Sequence, residues 1–172
     1  MDTFYEQIVS IKKSRKKIVT FVAIWLLALL LCAVVVLMLM SSILGGISIL
    51  LIAGILYGAF KLSGKLNIEY EYIITNGTFD IDKIINKSAR KRIASFELSI
   101  TNRLEKFNEG LLNNVDQKDV VYACNTDSEN AYLLVYQKEG KKAVYVVFEP
   151  NEKIKTAVVK FLPKFIANSA FK

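Results

Sequence analysis

Residues 67–85 read NIEYEYIITNGTFDIDKII, and this stretch decides the fold of the second half of the chain. Between Ile68 and Ile74 apolar and charged residues alternate, which is typical of a strand with one buried face. Asn76-Gly77 follows, and this dipeptide is the strongest short-range signal for a tight β-hairpin. The stretch therefore predicts two antiparallel strands joined by a two-residue turn.

Period-two alternation recurs downstream and predicts four more strands, which makes six in total. These four strands are expected over residues 90–100, 120–124, 132–137 and 143–149. In the first of them the inward-facing residues are Ala94, Phe96, Leu98 and Ile100.

Two segments change to a helical period. Apolar residues from Leu104 to Val115 recur at helical spacing, which predicts a helix over 102–115. A longer apolar stripe runs from Ile154 to Ile166 and includes Phe165. It predicts a closing amphipathic helix, which Pro163 should end or kink because proline cannot donate a backbone hydrogen bond.

Upstream, no Asp, Glu, Lys or Arg occurs between Ile18 and Phe60. This run is twice the ~20 apolar residues that are needed to cross a bilayer core. Serines and glycines among residues 41–46 interrupt it. The run therefore predicts a hairpin of two transmembrane helices, over 18–40 and 43–60.

Positive charge flanks both ends of this hairpin. Five of the six residues 12–17 are Lys or Arg, and Lys61 and Lys65 follow the second span, whereas the connecting loop has neither residue type. Lys and Arg accumulate in cytoplasmic loops. We therefore expect a multi-pass protein of the cell membrane, with both termini and the β-rich domain of residues 61–172 in the cytosol.

The N-terminal segment 1–17 is basic and carries an apolar stripe. Phe4, Ile8 and Ile11 share one helical face, and the lysines and arginine follow at once. An amphipathic helix lying among lipid headgroups has this pattern. The alternative is a solvated basic flank.

Gly54 and Gly58 form a GxxxG pattern in the second span. Such pairs let helix backbones approach each other closely. They predict a helix-packing face, either against the first span of the same chain or against a second copy in a homo-oligomer.

A basic cluster lies between the second and third strands. The candidate contacts to anionic lipid are Lys87, Arg90, Lys91 and Arg92. On a loop close to the membrane, each could add about 1 kcal/mol of attraction to anionic headgroups; the alternative is a solvated loop. The cluster is small and lacks interleaved aromatic residues, which argues against nucleic acid as a partner.

The residues for catalysis are sparse. The chain has no histidine, the commonest general base and metal ligand. Asp80 and Asp82 lie two residues apart on one strand and could form an acid pair or hold a cation, although a solvated strand face explains them too. Cys124 lies among apolar residues, which is typical of a buried, inert thiol. We expect no enzyme activity and no cofactor.

The stretches YIITNG (72–77) and RKRIASF (90–96) resemble the first strands of bacterial pleckstrin-homology-like (PH-like) domains. Those domains often carry a tyrosine-x-x-threonine turn, then a basic pair leading into a third strand, and commonly sit beside one or two transmembrane spans. The whole chain resembles a family of small bacterial two-span proteins classed as a domain of unknown function. Ala94 stands where a proline is often found, and the predicted strands number one fewer than the seven of the barrel.

Together these patterns predict an α+β protein: an N-terminal transmembrane helix hairpin followed by a β-rich PH-like barrel that a C-terminal amphipathic helix closes. The expected function is a membrane-anchored interaction or scaffold module that binds a protein, a peptide or anionic lipid. The alternative is an accessory or structural subunit of a transport-type membrane complex that acts through its two spans.

Overall fold

The computed structural model divides the chain into two compact units by the contacts within each. It describes residues 3–11, 15–39 and 45–171. One unit, here called the β unit, consists of residues 1–11, 69–84 and 88–172. The other, here called the helix unit, consists of residues 12–68 and 85–87.

The helix unit is built from helix α1 (Arg15–Leu39) and helix α2 (Gly45–Gly64), which pack against each other. Both are long and apolar enough to cross a membrane, by length and composition. Only 6% of the most apolar window of α1 is buried, and 17% of that of α2. The predicted spans fall on these helices, but α2 continues four residues beyond Phe60, and the predicted connecting loop lies outside the described residues.

The first sheet of the β unit is an antiparallel meander that includes the N-terminus. Its strands are β1 (Phe4–Ser10), β2 (Ile68–Thr75), β3 (Thr78–Ile85) and β4 (Ala89–Glu97), in that spatial order. Strand β1 pairs with β2 along its whole length, with Ser10 opposite Glu69. The predicted hairpin of β2 and β3 is confirmed, and Asn76 and Gly77 have the positive φ angles of 49° and 92° that a tight hairpin turn requires.

The prediction of an amphipathic helix near the N-terminus is wrong, because residues 4–10 form strand β1. The side chains of Tyr5, Gln7 and Val9 are partly or fully buried within the β unit, whereas Phe4 and Ile8 are exposed. The side chain of Gln7 fixes the strand: its Nε2 donates to the carbonyl oxygen of Glu149 at 2.9 Å. Partners distant in sequence thus override the local helical spacing.

The second sheet contains the remaining four strands of the β unit. Its strands are β5 (Thr101–Lys106), β6 (Val120–Tyr122), β7 (Tyr132–Tyr136) and β8 (Val144–Phe148). Their order is β5-β7-β8-β6, and β6 pairs parallel with β8. The described residues therefore contain eight strands. The prediction of six strands is wrong because it did not include β1 and β5.

The predicted helix over 102–115 is also wrong. Its first part is strand β5, in which Leu104 is buried opposite Leu134 of β7. Its second part is a short 3-10 helix, Glu109–Leu112, whose first turn is capped by the side chain of Asn108. The apolar residues at helical spacing serve two different clusters, because Leu104 joins the main core whereas Phe107, Leu111 and Val115 pack against a smaller one.

The closing helix is confirmed. Helix α3 (Glu152–Phe161) begins after Asn151, whose side-chain oxygen accepts from the Ile154 N–H at 2.9 Å. It ends before Pro163, and the short helix α4 (Lys164–Ala167) follows. The buried residues of this stripe are Ile154, Ala157, Val158, Leu162 and Ile166. Phe165, which the periodicity places inward, is 73% exposed.

An aromatic cluster forms the centre of the β unit. The rings of Tyr72 and Phe79 both contact Phe148, with centroids 6.0 and 5.6 Å away. The buried hydroxyl of Tyr72 donates to the carbonyl oxygen of Ala123 at 2.7 Å and accepts from the Glu149 N–H at 3.1 Å. Tyr72 therefore joins the two sheets through both packing and hydrogen bonds.

Candidate functional site

The four predicted lipid contacts do not share a loop. Arg90, Lys91 and Arg92 lie on strand β4, and Lys87 lies in the turn before it. Asn86 and Lys87 have φ angles of 52° and 54°, so β3 and β4 are joined by a tight turn rather than an extended loop. The prediction that all four residues lie on a loop is therefore wrong for three of them.

Arg92 is held by two carboxylates. Its Nε donates to Oδ1 of Asp82 at 2.7 Å, and its two terminal nitrogens reach Asp82 and Asp80 at 3.1 and 2.8 Å. Asp82 is only 7% exposed, so the expected solvated strand face is wrong at this residue. The hydrogen bonds from Arg92 lower the pKa of Asp82.

Arg90 pairs with a second buried acid. Its guanidinium lies 3.1 Å from Oε2 of Glu71, a side chain that is 1% exposed. Burial raises the pKa of Glu71, the hydrogen bond with Glu6 raises it further, and the positive charge of Arg90 opposes both effects. A guanidinium in such a pair is partly neutralised before any lipid approaches.

Lys87 and Lys91 are the exposed remainder of the cluster. Neither forms an ion pair with a residue that the structure describes. The predicted lipid site thus divides into two arginines that bind carboxylates of the β unit and two lysines that face solvent. Contact of these residues with lipid stays a prediction.

Gly54 and Gly58 do not pack against the first helix. A Cβ atom added to either glycine would meet nothing within 4 Å. The buried positions of α2 lie elsewhere, at Ser48, Ala59 and Ser63. The interpretation that these glycines pack the two spans of one chain is therefore wrong, and the contact between two copies stays a prediction.

The β unit has a shallow recess of about 380 Å³ beside the 3-10 helix that follows β5. Phe107, Leu112 and Tyr122 form its apolar wall, and Glu109 is the one carboxylate among its lining residues.

Burial raises the pKa of Cys124 to about 12, which leaves this thiol protonated and weakly nucleophilic at neutral pH. The absence of enzyme activity stays a prediction.

The helix unit has a cavity of about 430 Å³ where the start of α1 meets the end of α2. Lys17, Phe21 and Trp25 line it from α1, and Phe60 lines it from α2. Asn86 contributes from the turn between β3 and β4. Sequence reasoning missed this cavity because its lining residues come from segments about 70 positions apart, which no local pattern connects.

Two four-stranded sheets, the first antiparallel and the second mixed, are followed by a C-terminal helix, and this arrangement agrees with the PH-like class. Residues 1–168 match the family model described as Bacterial PH-like domain (DUF6106), and the chain belongs to this family of unknown function. The predicted resemblance is thereby confirmed. The match includes strand β1 and both helices, so the helix pair belongs to the family pattern. Neither the curated proteins nor the solved structures compared with the chain gave a match.

Proposed function

We propose that the chain is a membrane-anchored PH-like interaction module, which displays its β unit at the inner surface of the cell membrane. The observation that carries the proposal is the pairing of β1 with β2. Ser10 and Glu69 are partners in one sheet, although both long helices lie between them in sequence.

This pairing constrains the membrane topology. If the helices cross a bilayer, β1 and β2 have to emerge on the same side, because they form one sheet. An even number of crossings satisfies that condition, and α1 and α2 supply two. The pairing therefore supports a two-span hairpin over a single span.

The surface of the helices supports a bilayer location. Large apolar side chains are exposed along both of them, for example Leu37 at 80%, Ile49 at 71% and Leu50 at 73%. Soluble monomers rarely expose contiguous apolar patches of such length. Lys61 lies 5.6 Å from the centre of the Tyr57 ring, an aromatic and basic pair of the kind that anchors helix ends at the interface.

A protein or peptide is the favoured partner of the β unit. Arg90 and Arg92 are engaged by Glu71, Asp80 and Asp82, which leaves little free positive charge on β4 for anionic lipid. At about 1 kcal/mol for each basic residue near the surface, the exposed Lys87 and Lys91 add only a weak attraction. We expect the membrane to supply location and the partner to supply specificity.

Cysteine labelling in whole cells tests this proposal. The two native cysteines are first removed by Cys32→Ser and Cys124→Ala. A single cysteine is then introduced by either Gly45→Cys or Lys138→Cys. We expect a membrane-impermeant maleimide to label the first variant in intact cells, and the second only after permeabilisation. Labelling of Lys138→Cys in intact cells, or recovery of the chain in the soluble fraction, contradicts the proposal.

The open glycine face favours the second candidate, a subunit that acts through its spans. Gly54 and Gly58 offer a helix surface on which the same chain places nothing, and such surfaces suit close packing with another transmembrane helix. In native membranes, we expect Gly54→Leu and Gly58→Leu to lower the yield of crosslinks between α2 and transmembrane helices of other chains. The thermal melt of the protein should stay the same. Ala53→Leu on the same helix serves as control, and unchanged crosslinking in both glycine variants argues against this candidate.

A further inference from the structure

We propose that the cavity of the helix unit binds an anionic phospholipid, with the phosphate at Lys17 and an acyl chain along the aromatic wall. This inference rests on the proposed membrane location and adds a specific lipid ligand to it. The site is separate from the basic residues of β4, since all its lining residues belong to the helix unit.

The polarity of the cavity changes along α1. Lys17, Phe21 and Trp25 are spaced four residues apart, so they lie on one face of the helix. At a rise of 1.5 Å per residue, the charge at Lys17 and the indole at Trp25 are about 12 Å apart along the axis. Phe60 closes the apolar part from α2. A ligand that fits this gradient has a charged head and an apolar tail.

The polar end favours an anion. Lys17 is only partly exposed and forms no ion pair with any residue that the structure describes. The other polar side chains that line the cavity are the hydroxyl of Ser63 and the amides of Asn67 and Asn86, and no carboxylate is among the lining residues. The net charge of the end is therefore positive, and its amide groups can donate hydrogen bonds to phosphate oxygens.

The geometry of this end is fixed by backbone contacts. The Asn86 N–H donates to the carbonyl oxygen of Asn67 at 2.8 Å. The side chain of Asn86 lies so close to Gly64 that a Cβ atom there would come within 2.9 Å of its Nδ2. Asn86 also adopts a φ of 52°, a conformation that asparagine tolerates better than most residues. The amide is thus held at the rim by Gly64 and Asn67, which lie between the end of α2 and the start of β2.

The apolar part has an unused donor. Nε1 of Trp25 is buried and has no hydrogen-bond partner among the described residues. Buried indole groups usually have one, and the ester carbonyl of a lipid would provide it. The volume of about 430 Å³ is within the range of small-molecule pockets, roughly 300–1,000 Å³. Part of one lipid molecule fits such a volume.

The test uses the full chain in phosphatidylcholine vesicles, since Trp25 is its single tryptophan and reports on the cavity directly. Two vesicle preparations contain the same fraction of brominated lipid, which is phosphatidylglycerol in one and phosphatidylcholine in the other. The quenching of Trp25 fluorescence at high salt is compared between the two preparations. Salt screens the attraction of lipid to exposed charges, while a partly buried ion pair is screened much less. We expect the anionic lipid to be favoured about fivefold, the factor that one charge contact supplies.

The variants separate the cavity from the general surface charge. Lys17→Gln should remove the preference, whereas Lys16→Gln, which removes the same charge outside the cavity, should keep it. Asn86→Asp, which places a negative charge at the rim, should weaken the preference too. Equal quenching by both brominated lipids in the wild-type chain overturns the lipid site and leaves the anchor intact. Absence of quenching by either lipid overturns the proposed anchor itself.

Discussion

Arg92 is the most firmly held of the basic residues on β4. Its guanidinium makes two hydrogen bonds to Asp82 and one to Asp80, and a planar fork suits such an arrangement better than an ammonium group does. Its role in the structure is to neutralise a carboxylate that the sheet buries. If Arg92 also contacted lipid, as predicted, its positive charge would have to neutralise both the buried carboxylate of Asp82 and a lipid phosphate.

Replacing Arg92 by leucine should destabilise the protein by about 1–3 kcal/mol, because Asp82 would stay buried without its donor. The free energy of unfolding in urea measures this loss. Lys91→Leu is the matched control, because Lys91 is the exposed neighbour, and it should change stability by less than about 0.5 kcal/mol. The double variant Arg92→Leu with Asp82→Asn should recover part of the loss, and its failure to do so would point to packing instead.

Glu71 gives the stability a distinctive dependence on pH. Its pKa is raised in the folded state, chiefly by burial, so the ionised form costs folding free energy at neutral pH. This cost declines as the pH falls through the raised pKa toward the unfolded value of about 4.3. Stability should therefore increase over that interval, and then fall at lower pH as Asp82, with its lowered pKa, is protonated.

Glu71→Gln removes the ionisable group and should flatten the rise in stability on the acidic side of neutral pH. Denaturant midpoints measured between pH 2 and pH 7 test this expectation. The decline at lower pH, which belongs to Asp82, should persist in the variant. A rise of unchanged size in Glu71→Gln would assign it to another group.

The side-chain partners of these residues could not be predicted from the sequence. Alternation along 67–85 shows that Glu71 and Asp82 leave the apolar face of their strands, but it does not show what lies beside them. That depends on the register of β2, β3 and β4, which is set by three-dimensional pairing. For the same reason, the cluster at 87–92 looked like a free basic patch.

Helix α3 covers the β unit with a single row of buried residues. Ile154 is 0% exposed within the main core, so Ile154→Ala should cost about 2–5 kcal/mol through lost burial and the cavity that remains. Thermal unfolding measures this difference. Phe165→Ala is the control on the same apolar stripe, and it should be close to neutral because Phe165 is 73% exposed. Equal losses in the two variants would mean that the helix is not held by this face.

Element prediction succeeded where one period was unambiguous and failed where two periods fitted. The β2–β3 hairpin and α3 have a clear period and local stop signals at Gly77 and Pro163. At residues 4–10, helical spacing of Phe4 and Ile8 competes with alternation of Tyr5, Gln7 and Val9. The alternation prevails because β2 supplies a partner strand, and β2 is far away in sequence.

The pairing of Ser10 with Glu69 makes the helix pair an insertion between two adjacent strands. A chain that joins residues 3–10 to 69–171 through Asn-Gly should therefore restore a simple hairpin and fold as a soluble protein. We expect it to melt cooperatively and to exceed a fragment of residues 65–172 in stability by about 3–5 kcal/mol. The difference comes from burial of Val9 and the two hydrogen bonds of Gln7 with Glu149 and Asn151.

Circular dichroism and urea unfolding compare these two proteins. Val9→Asp in the joined chain is the control, since it disrupts the inward face of β1 while the length of the chain stays the same. If the shorter fragment is as stable as the joined chain, β1 is dispensable for the fold of the β unit.

Strand β1 is synthesised well before β2, the strand with which it pairs. The ribosome completes residues 4–10 long before β2, since Ser10 and Glu69 are 59 positions apart. At 5–20 residues per second, translation takes about 3–12 s to cover that distance. Throughout this interval β1 has no partner strand, and strands with open edges are prone to pair with other chains. If α1 and α2 insert into a membrane, as proposed above, slow insertion should lengthen this exposure further and raise the yield of aggregated product.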